Sequence, residues 1–471
     1  MSSVERTARA VDALRRYWSG RQVVLLLPAF DGAARTLLRE LAGVGAHVAG
    51  VLSAAAPAPD APAVDHVWSF AAHGYEVGRA ELDTVLRDPP AELVRWLDAV
   101  DPDRSALVLG GTFTHLGEVC GRPVHGWRRP DWAAWEDKTR IEQLWRMAGV
   151  PSPEHAIVSA EAPDLDERVA ELDRGAGVVL AMDASTGFRG DATGLRWLRR
   201  AGDLAAARSW FSGRTARLRL ATFVPGVPCS ILATVLAEGV AVYDPIEIVT
   251  LRNLGNAREA LVFCGSSTYW RPGAPAVQEM RGHTRAAAMA LRSMGFRGML
   301  SVDGILGPQG FLATELNPRH ASGLGLRAGW PDFPVYLFQR ALQEGLPGVV
   351  DLCPQDVEDA FRSTIERHPS YSVRVPASDD PAAGGEHTVW LATAAGPDGQ
   401  QVRYRRSADR AWVLGIDPVS GDGLAAPAAA ALARALGAGD LTSCVDDLGR
   451  RPAGLGDPVP AGAGKAGREL R

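Results

Sequence analysis

The sequence predicts an α/β protein built from several domains. Three observations carry this. The chain has 471 residues, where one domain typically takes about 100–200. Apolar strands alternate with helical stretches near the start, the mark of a parallel α/β unit. From about residue 370 the texture changes to short alternating strands separated by turn residues.

Residues 22–53 hold an apolar strand (VVLLLPA), a helical stretch (ARTLLRELAGVG) and a second strand (HVAGVLS), and ALVLGG at 106–111 reads as another strand. This is a Rossmann-like layout. The segment AAAPAPDAPAV, 54–64, is a loop. A helix is expected over 133–148, with Asp137 and Lys138 in its first turn and Gly149 ending it. Next come a strand at 177–182 (GVVLAM), a loop at 183–194 (DASTGFRGDATG) and strands at 217–224, 229–237 and 240–243. Helical residues are expected near 276–295, 333–344 and 355–363. The stretch EHTVWLATAAGPDGQQVRYRRSADRAWVLGI reads as two or three short strands with a PDG turn. The tail, 450–471, has the composition of a disordered segment.

Composition excludes some classes. Net charge is −5 and pI is near 6.1, which argues against binding nucleic acid by bulk charge. No stretch reaches the roughly 18 continuous apolar residues of a membrane span, and the N-terminus is polar and helical rather than signal-like. Five cysteines stand apart, with no CxxC or clustered Cys/His spacing, so a reduced cytoplasm without structural zinc is expected. There is no GxSxG, HExxH, GxxxxGK[ST] or complete GxGxxG. A homodimer is an open alternative to a monomer. The heavy use of Ala, Gly, Pro and Arg reads as codon bias.

The most informative stretch is GMLSVDGILGPQGFLATELNPRH, 298–320. Two apolar runs flank Gly307-Pro308-Gln309-Gly310. Proline presets a type I corner and Gly310 can take the left-handed position after it, which suits a three-residue hairpin loop. That loop pairs Gly307 with Phe311 and, counting back, Asp303 with Glu315. Directly opposed residues share a sheet face. Two facing carboxylates repel unless a cation lies between them. A divalent metal with oxygen ligands, magnesium, fits, and Asn317 adds a third oxygen. The bland alternative is a pair of solvated acids at a sheet edge.

At this point the residues resemble a family. The run ELNPRH after a Val-Asp-Gly hairpin is similar to the C-terminal metal motif of the ATP-grasp superfamily, enzymes that join a carboxylate to an amine through an acyl phosphate. DKTRIEQLWRMAGVPSP, 137–153, resembles that family's Asp-Lys helix ending in Gly-Val-Pro, and TFVPGVPCSI, 222–231, its adenine hinge. Order and spacing agree over about 137–330. The resemblance implies a Rossmann-like pre-ATP-grasp domain (1–130) and an ATP-grasp domain (131–350). The latter would comprise a smaller lid subdomain (131–218) and a larger metal-binding subdomain (219–350), two α+β halves clasping ATP. A small β-rich C-terminal unit (351–449) follows. It implies ATP and Mg2+ as cofactors. Lys138 would reach ATP phosphate, and Asp303, Glu315 and Asn317 would hold one or two magnesium ions. Arg319 would meet the acyl phosphate or a substrate carboxylate as the catalytic cation. Phe223 and Val224 would meet the adenine through backbone groups.

The sequence departs from the pattern in two places. Where the family carries a second lysine, the strand VVLAMD has Ala181 or Met182. The following loop keeps Gly187, Gly190 and Gly194, whose backbone N–H groups could cradle phosphate. Arg189 either supplies the missing cation or is a solvated loop arginine. At the hinge, Ala221 and Thr222 stand where a glutamate often approaches the nucleotide. His320 reads as a structural rather than a basic histidine, and GSSTYW (Ser266 to Tyr269) as either an acceptor-pocket lining or a plain turn.

The expected function is ATP-dependent amide formation between a small-molecule or peptide acid and an amine. The overall layout resembles pheganomycin-type peptide ligases of antibiotic biosynthesis. Two alternatives stand beside it: a carboxylate–amine ligase of primary metabolism, and a degenerate nucleotide-binding regulator.

Overall fold

The computed structural model describes residues 3–445, except 79–80, 112–113, 185–191, 254–259, 322, 324–332, 350–351, 379–384, 394–395, 408 and 420. Gly187, Arg189, Gly190 and the tail therefore lie outside the described residues.

The chain opens with helix Ser3–Trp18 and a four-stranded parallel sheet. Its order is Val67–Ser69, His47–Ser53, Gln22–Leu27, Leu107–Gly110. Both faces are buried, which is why these strands read as unbroken apolar runs. Val23, Leu25, Val51 and Leu109 point into one core, and Val24, Leu26, Leu52 and Val108 into another. The first of these cores also takes Leu232, Met299 and Phe338 from later in the chain, which ties the N-terminal unit to the central sheet.

A second, antiparallel sheet follows, with order His155–Ser159, Arg217–Thr222, Val178–Met182, Leu195–Leu198. Helices Leu165–Leu172 and Ala201–Phe211 cover one face, packing on Leu180, Met182, Leu218 and Leu220. Side chains alternate along a strand, so Ala181, Arg219 and Ala221 occupy the other face. Strand Arg217–Thr222 spans both sides of position 218, so this sheet runs to Thr222.

The third sheet has eleven strands. Its main path runs Gly310–Asn317, Gly298–Gly307, Val227–Val235, Ile246–Asn253, Leu261–Ser267, Tyr371–Pro376, Arg410–Asp417, Gly396–Ser407, Glu386–Thr393. Helix Ala274–Ser293 lies on it through Met280, Ala287 and Leu291. The β-rich C-terminal segment continues this sheet, because Tyr371–Pro376 pairs with Leu261–Ser267 on one side and Arg410–Asp417 on the other. Among the described residues no helix is long and apolar enough to cross a membrane.

Several elements differ from expectation. The helix expected over 133–148 is two pieces: a short Pro130–Ala133 turn continuing as 3-10 helix to Glu136, then Ile141–Ala148, ending at Gly149 with φ +64°. Asp137 breaks the run by accepting hydrogen bonds from the Thr139 N–H and hydroxyl, both at 2.7 Å. Strand Ile246–Asn253 was not expected, because buried Glu247 interrupts its apolar pattern. Helix Ala426–Ala435 was hidden in alanine content read as codon bias, although alanine is the strongest helix former. The PDG triplet lies inside strand Gly396–Ser407 rather than in a turn.

Candidate active site

The hairpin pairs Asp303 directly with Glu315, but not by the expected route. Gly307 pairs with Gly310 rather than Phe311, so the turn is Pro308-Gln309, one residue shorter. Gly310 does take positive φ, +101°. On that register Asp303 would oppose Thr314, and Glu315 would oppose Val302, a core residue. A β-bulge between Asp303 and Gly304 shifts the pairing by one and leaves Thr314 as the extra residue. The acids then share one face, as bulges near sites are used to re-aim side chains.

Asp303 is half-buried and well partnered. Ser230, its neighbour on the next strand, donates to Oδ1 at 2.6 Å, and Asn317 Nδ2 donates to Oδ2 at 2.9 Å. Burial first, and the Glu315 charge second, push its carboxyl up to about 6. The Ser230 and Ser301 hydrogen bonds and the Arg319 charge oppose the rise.

Lys138 reaches Glu315. Its Nζ lies 2.6 Å from Oε2. The neighbouring Asp137 uses Oδ2 to accept the Ala184 N–H at 3.2 Å, at the root of loop 183–194. Adjacent residues thus tie the acid-bearing hairpin to the start of the loop 183–194.

Arg319 is held from two sides. Its Nε donates to Glu136 Oε1 at 2.7 Å and its Nη2 to Asn317 Oδ1 at 2.8 Å. The other oxygen of Glu136 lies 2.6 Å from Arg128 Nη2. Arg128 is buried, and burial pulls its guanidinium below the ordinary range while Glu136 opposes that. Sequence reasoning missed Arg128 and Glu136. Their only signal was adjacency: Glu136 precedes the Asp-Lys pair, and Arg128 stands in an Arg-Arg-Pro run before the helix.

On the lid side, Ala181 faces Arg219 across the sheet. Arg219, also missed, is buried and ion-paired with Glu142 at 2.5 Å. Glu142 also accepts from Ser152 Oγ at 2.7 Å. The family's lysine position therefore has an arginine beside it on the same face. Phe223 gives its backbone N–H to the Gly177 carbonyl at 3.0 Å, so that group is committed within the chain rather than open to an adenine. Its ring stacks on Trp197, centroids 4.2 Å apart. Val224 follows at the hinge between the two sheets.

Two ambiguous features become structural. In GSSTYW, the Thr268 hydroxyl accepts the Ser370 N–H at 2.9 Å and Tyr269 stacks on Tyr371, lashing the segment to the next strand. His320 packs edge-on against Tyr336, and loss of solvent lowers its imidazole to about 3, so it is neutral.

The donor set fits a hard cation. Asp303, Glu315 and Asn317 are oxygen donors, the type magnesium takes. After burial, the Glu315 charge is the second cause that raises Asp303, and that repulsion is what a bound divalent cation would relieve. Asn317 directs its nitrogen to Asp303 and its oxygen to Arg319, so its amide must turn to act as a ligand. Among the described residues no three His, Cys, Asp or Glu side chains form a metal cluster; this set has two acids and an amide.

A four-stranded antiparallel sheet and a long antiparallel sheet with paired acids on its edge hairpin make a fold similar to that of ATP-grasp enzymes. Solved structures of ATP-grasp enzymes share it. The ADP complex of an N5-carboxyaminoimidazole ribonucleotide synthetase has TM-score 0.51 at 15% identity, covering 84% of this chain and 93% of that one. N5-carboxyaminoimidazole synthase from Aspergillus clavatus, with ADP and 5-aminoimidazole ribonucleotide, gives 0.51 at 16%, covering 84% and 94%. L-amino acid ligase from Bacillus licheniformis gives 0.52 at 11%, covering 90% and 98%. At these identities the likeness is one of fold. No protein-family model and no curated protein matches the sequence.

Proposed function

We propose that this chain is an ADP-forming carboxylate–amine ligase. One observation carries the reading. Asp303 and Glu315 face each other on a bulged hairpin, and Lys138 and Arg319 are bonded to that same cluster. Two acids and two cations gathered in one cluster suit transfer of a phosphoryl group to a carboxylate, where charge develops on oxygens.

Asp303, Glu315 and Asn317 would hold magnesium, which supplies charge stabilisation for the phosphoryl oxygens. Lys138 would exchange Glu315 for an ATP phosphate oxygen. Arg319, fixed by Glu136, would present its planar fork to the acid substrate's carboxylate. The backbone groups of loop 183–194, rooted at Asp137, would close over the nucleotide and exclude water from the acyl phosphate. An amine then attacks the acyl carbon, giving an amide and releasing phosphate.

The finer reading is amide formation between amino acids or peptides, in natural-product biosynthesis and in the cytoplasm. It is supported by the resemblance of overall layout. Phosphate release screened over a matrix of acids and amines tests the proposal. The expected result is release that requires one acid and one amine together. A chain that binds Mg·ADP yet turns over no pair would be a regulator instead.

A further inference from the structure

An open cavity of about 530 Å³ lies between helix Ile141–Ala148 and the edge of the lid sheet. Its volume falls in the range of small-molecule sites, roughly 300–1,000 Å³. Arg140, Arg146 and Arg217 line it from three directions: the segment before the helix, the helix itself and strand Arg217–Thr222. All three are exposed, and among the described residues none has a carboxylate partner. Arg140 lies over the Trp135 ring, 4.6 Å from its centroid, and Arg146 Nε donates to the backbone oxygen of Glu142, at 3.4 Å. The single acid in the wall is Glu142, already committed to Arg219 and Ser152. Exposed Ile157 supplies an apolar wall.

Three arginines without acid partners thus line one cavity. Self-repulsion opposes such a grouping unless an anion answers it. Guanidinium groups bind carboxylate and phosphate oxygens in a fork. We propose that this cavity is a second ligand site, for a small organic oxyanion whose apolar body rests on Ile157. Lys138, Glu315 and Arg319 do not line it, so it is separate from the ligation site.

Calorimetric titration at constant ionic strength tests this, with phenyl phosphate in one arm and benzoate in the other. The bodies are alike, so the arms distinguish a phosphate from a carboxylate. Saturable binding at one site is expected in at least one arm. An Arg146→Ala/Arg217→Ala double variant should weaken it about tenfold or more, the worth of one or two charge-assisted hydrogen bonds. Both residues are exposed, so the variant should melt like the parent. Lys138→Ala and saturating Mg·ADP should leave the binding unchanged. No saturable binding in either arm, or binding that persists in the double variant, would overturn the proposal. Displacement by Mg·ADP would also overturn it, because the anion would then occupy the nucleotide cleft. Failure of Mg·ADP to bind at all would count against the ligase reading and leave this result readable.

Discussion

The ammonium of Lys138 and the carboxylate of Glu315 are bonded to each other, Nζ to Oε2, at 2.6 Å. One was expected at an ATP phosphate and the other at magnesium. Each compensates the other's charge, and on the proposed function Mg·ATP would release both. Glu315→Gln should therefore remove acid- and amine-dependent ADP release by about 100-fold or more, the scale of losing one electrostatic stabiliser. Circular dichroism and melting should match the parent, because Glu315 is partly exposed. Near-native turnover in this variant would contradict its role.

Arg319 and Glu136 give a second test. Arg319→Lys keeps the charge but loses the planar fork that meets Glu136 and Asn317. Glu136→Gln leaves Arg319 in place while loosening its orientation. Both variants should lower kcat more than they raise the KM for ATP. Steady-state kinetics with both substrates saturating reads this directly; an effect confined to the KM for ATP would move Arg319 to the nucleotide.

The buried pair of Arg219 and Glu142 should matter for stability. Arg219→Ala strands a buried carboxylate, at a cost of about 3–5 kcal/mol in denaturant unfolding. The Arg219→Met/Glu142→Gln double variant should recover most of that loss. Because Arg219 stands beside Ala181, the double variant should also bind Mg·ADP about tenfold more weakly if the arginine supplies the charge the lysine would have given. Unchanged affinity would confine Arg219 to holding the lid against the helix.

Glu247 predicts a pH dependence. It is buried, accepts the Ala425 and Ala426 N–H groups, and burial raises it from 4.5 to about 7. The folded chain holds this proton more tightly than the unfolded one. Its stabilising contribution is therefore complete below pH 4.5 and is lost as pH rises through 7. His125 and His320, lowered to about 3, act with the opposite sign below their ordinary 6.5. The difference curve between parent and Glu247→Gln isolates the glutamate. The variant should gain about 3 kcal/mol on the parent between pH 4.5 and 7.5. A constant difference would mean Glu247 does not titrate in that window.

The hairpin shows how far the sequence could be read. Asp303 facing Glu315 was legible, yet the turn that implied it was one residue too long. A bulge at Thr314 restored the pairing, and nothing in LATEL marks a bulge. The helix break at Asp137 depended on a side chain capping its own backbone two residues on, which competes locally with helix. Arg128, Glu136 and Arg219 were invisible for another reason. Glu136 and Arg219 act through partners distant in sequence and Arg128 through Glu136, and single charged residues in loops or strands carry no periodic signal. Arg189, weighed as the replacement cation, lies outside the described residues, whereas Arg219 is a second candidate that only the strand pairing brings beside Ala181.

On the proposed function, a substrate carboxylate takes a phosphoryl group beside Asp303, Glu315 and Arg319 before an amine attacks it. Isotope transfer tests it most directly, once the matrix screen has supplied an active acid and amine. The acid is labelled with oxygen-18 in its carboxylate, and the released phosphate is analysed by mass spectrometry. One labelled oxygen is expected in the phosphate for each amide formed, with ADP as the nucleotide product. Unlabelled phosphate, or AMP and pyrophosphate as products, would contradict it.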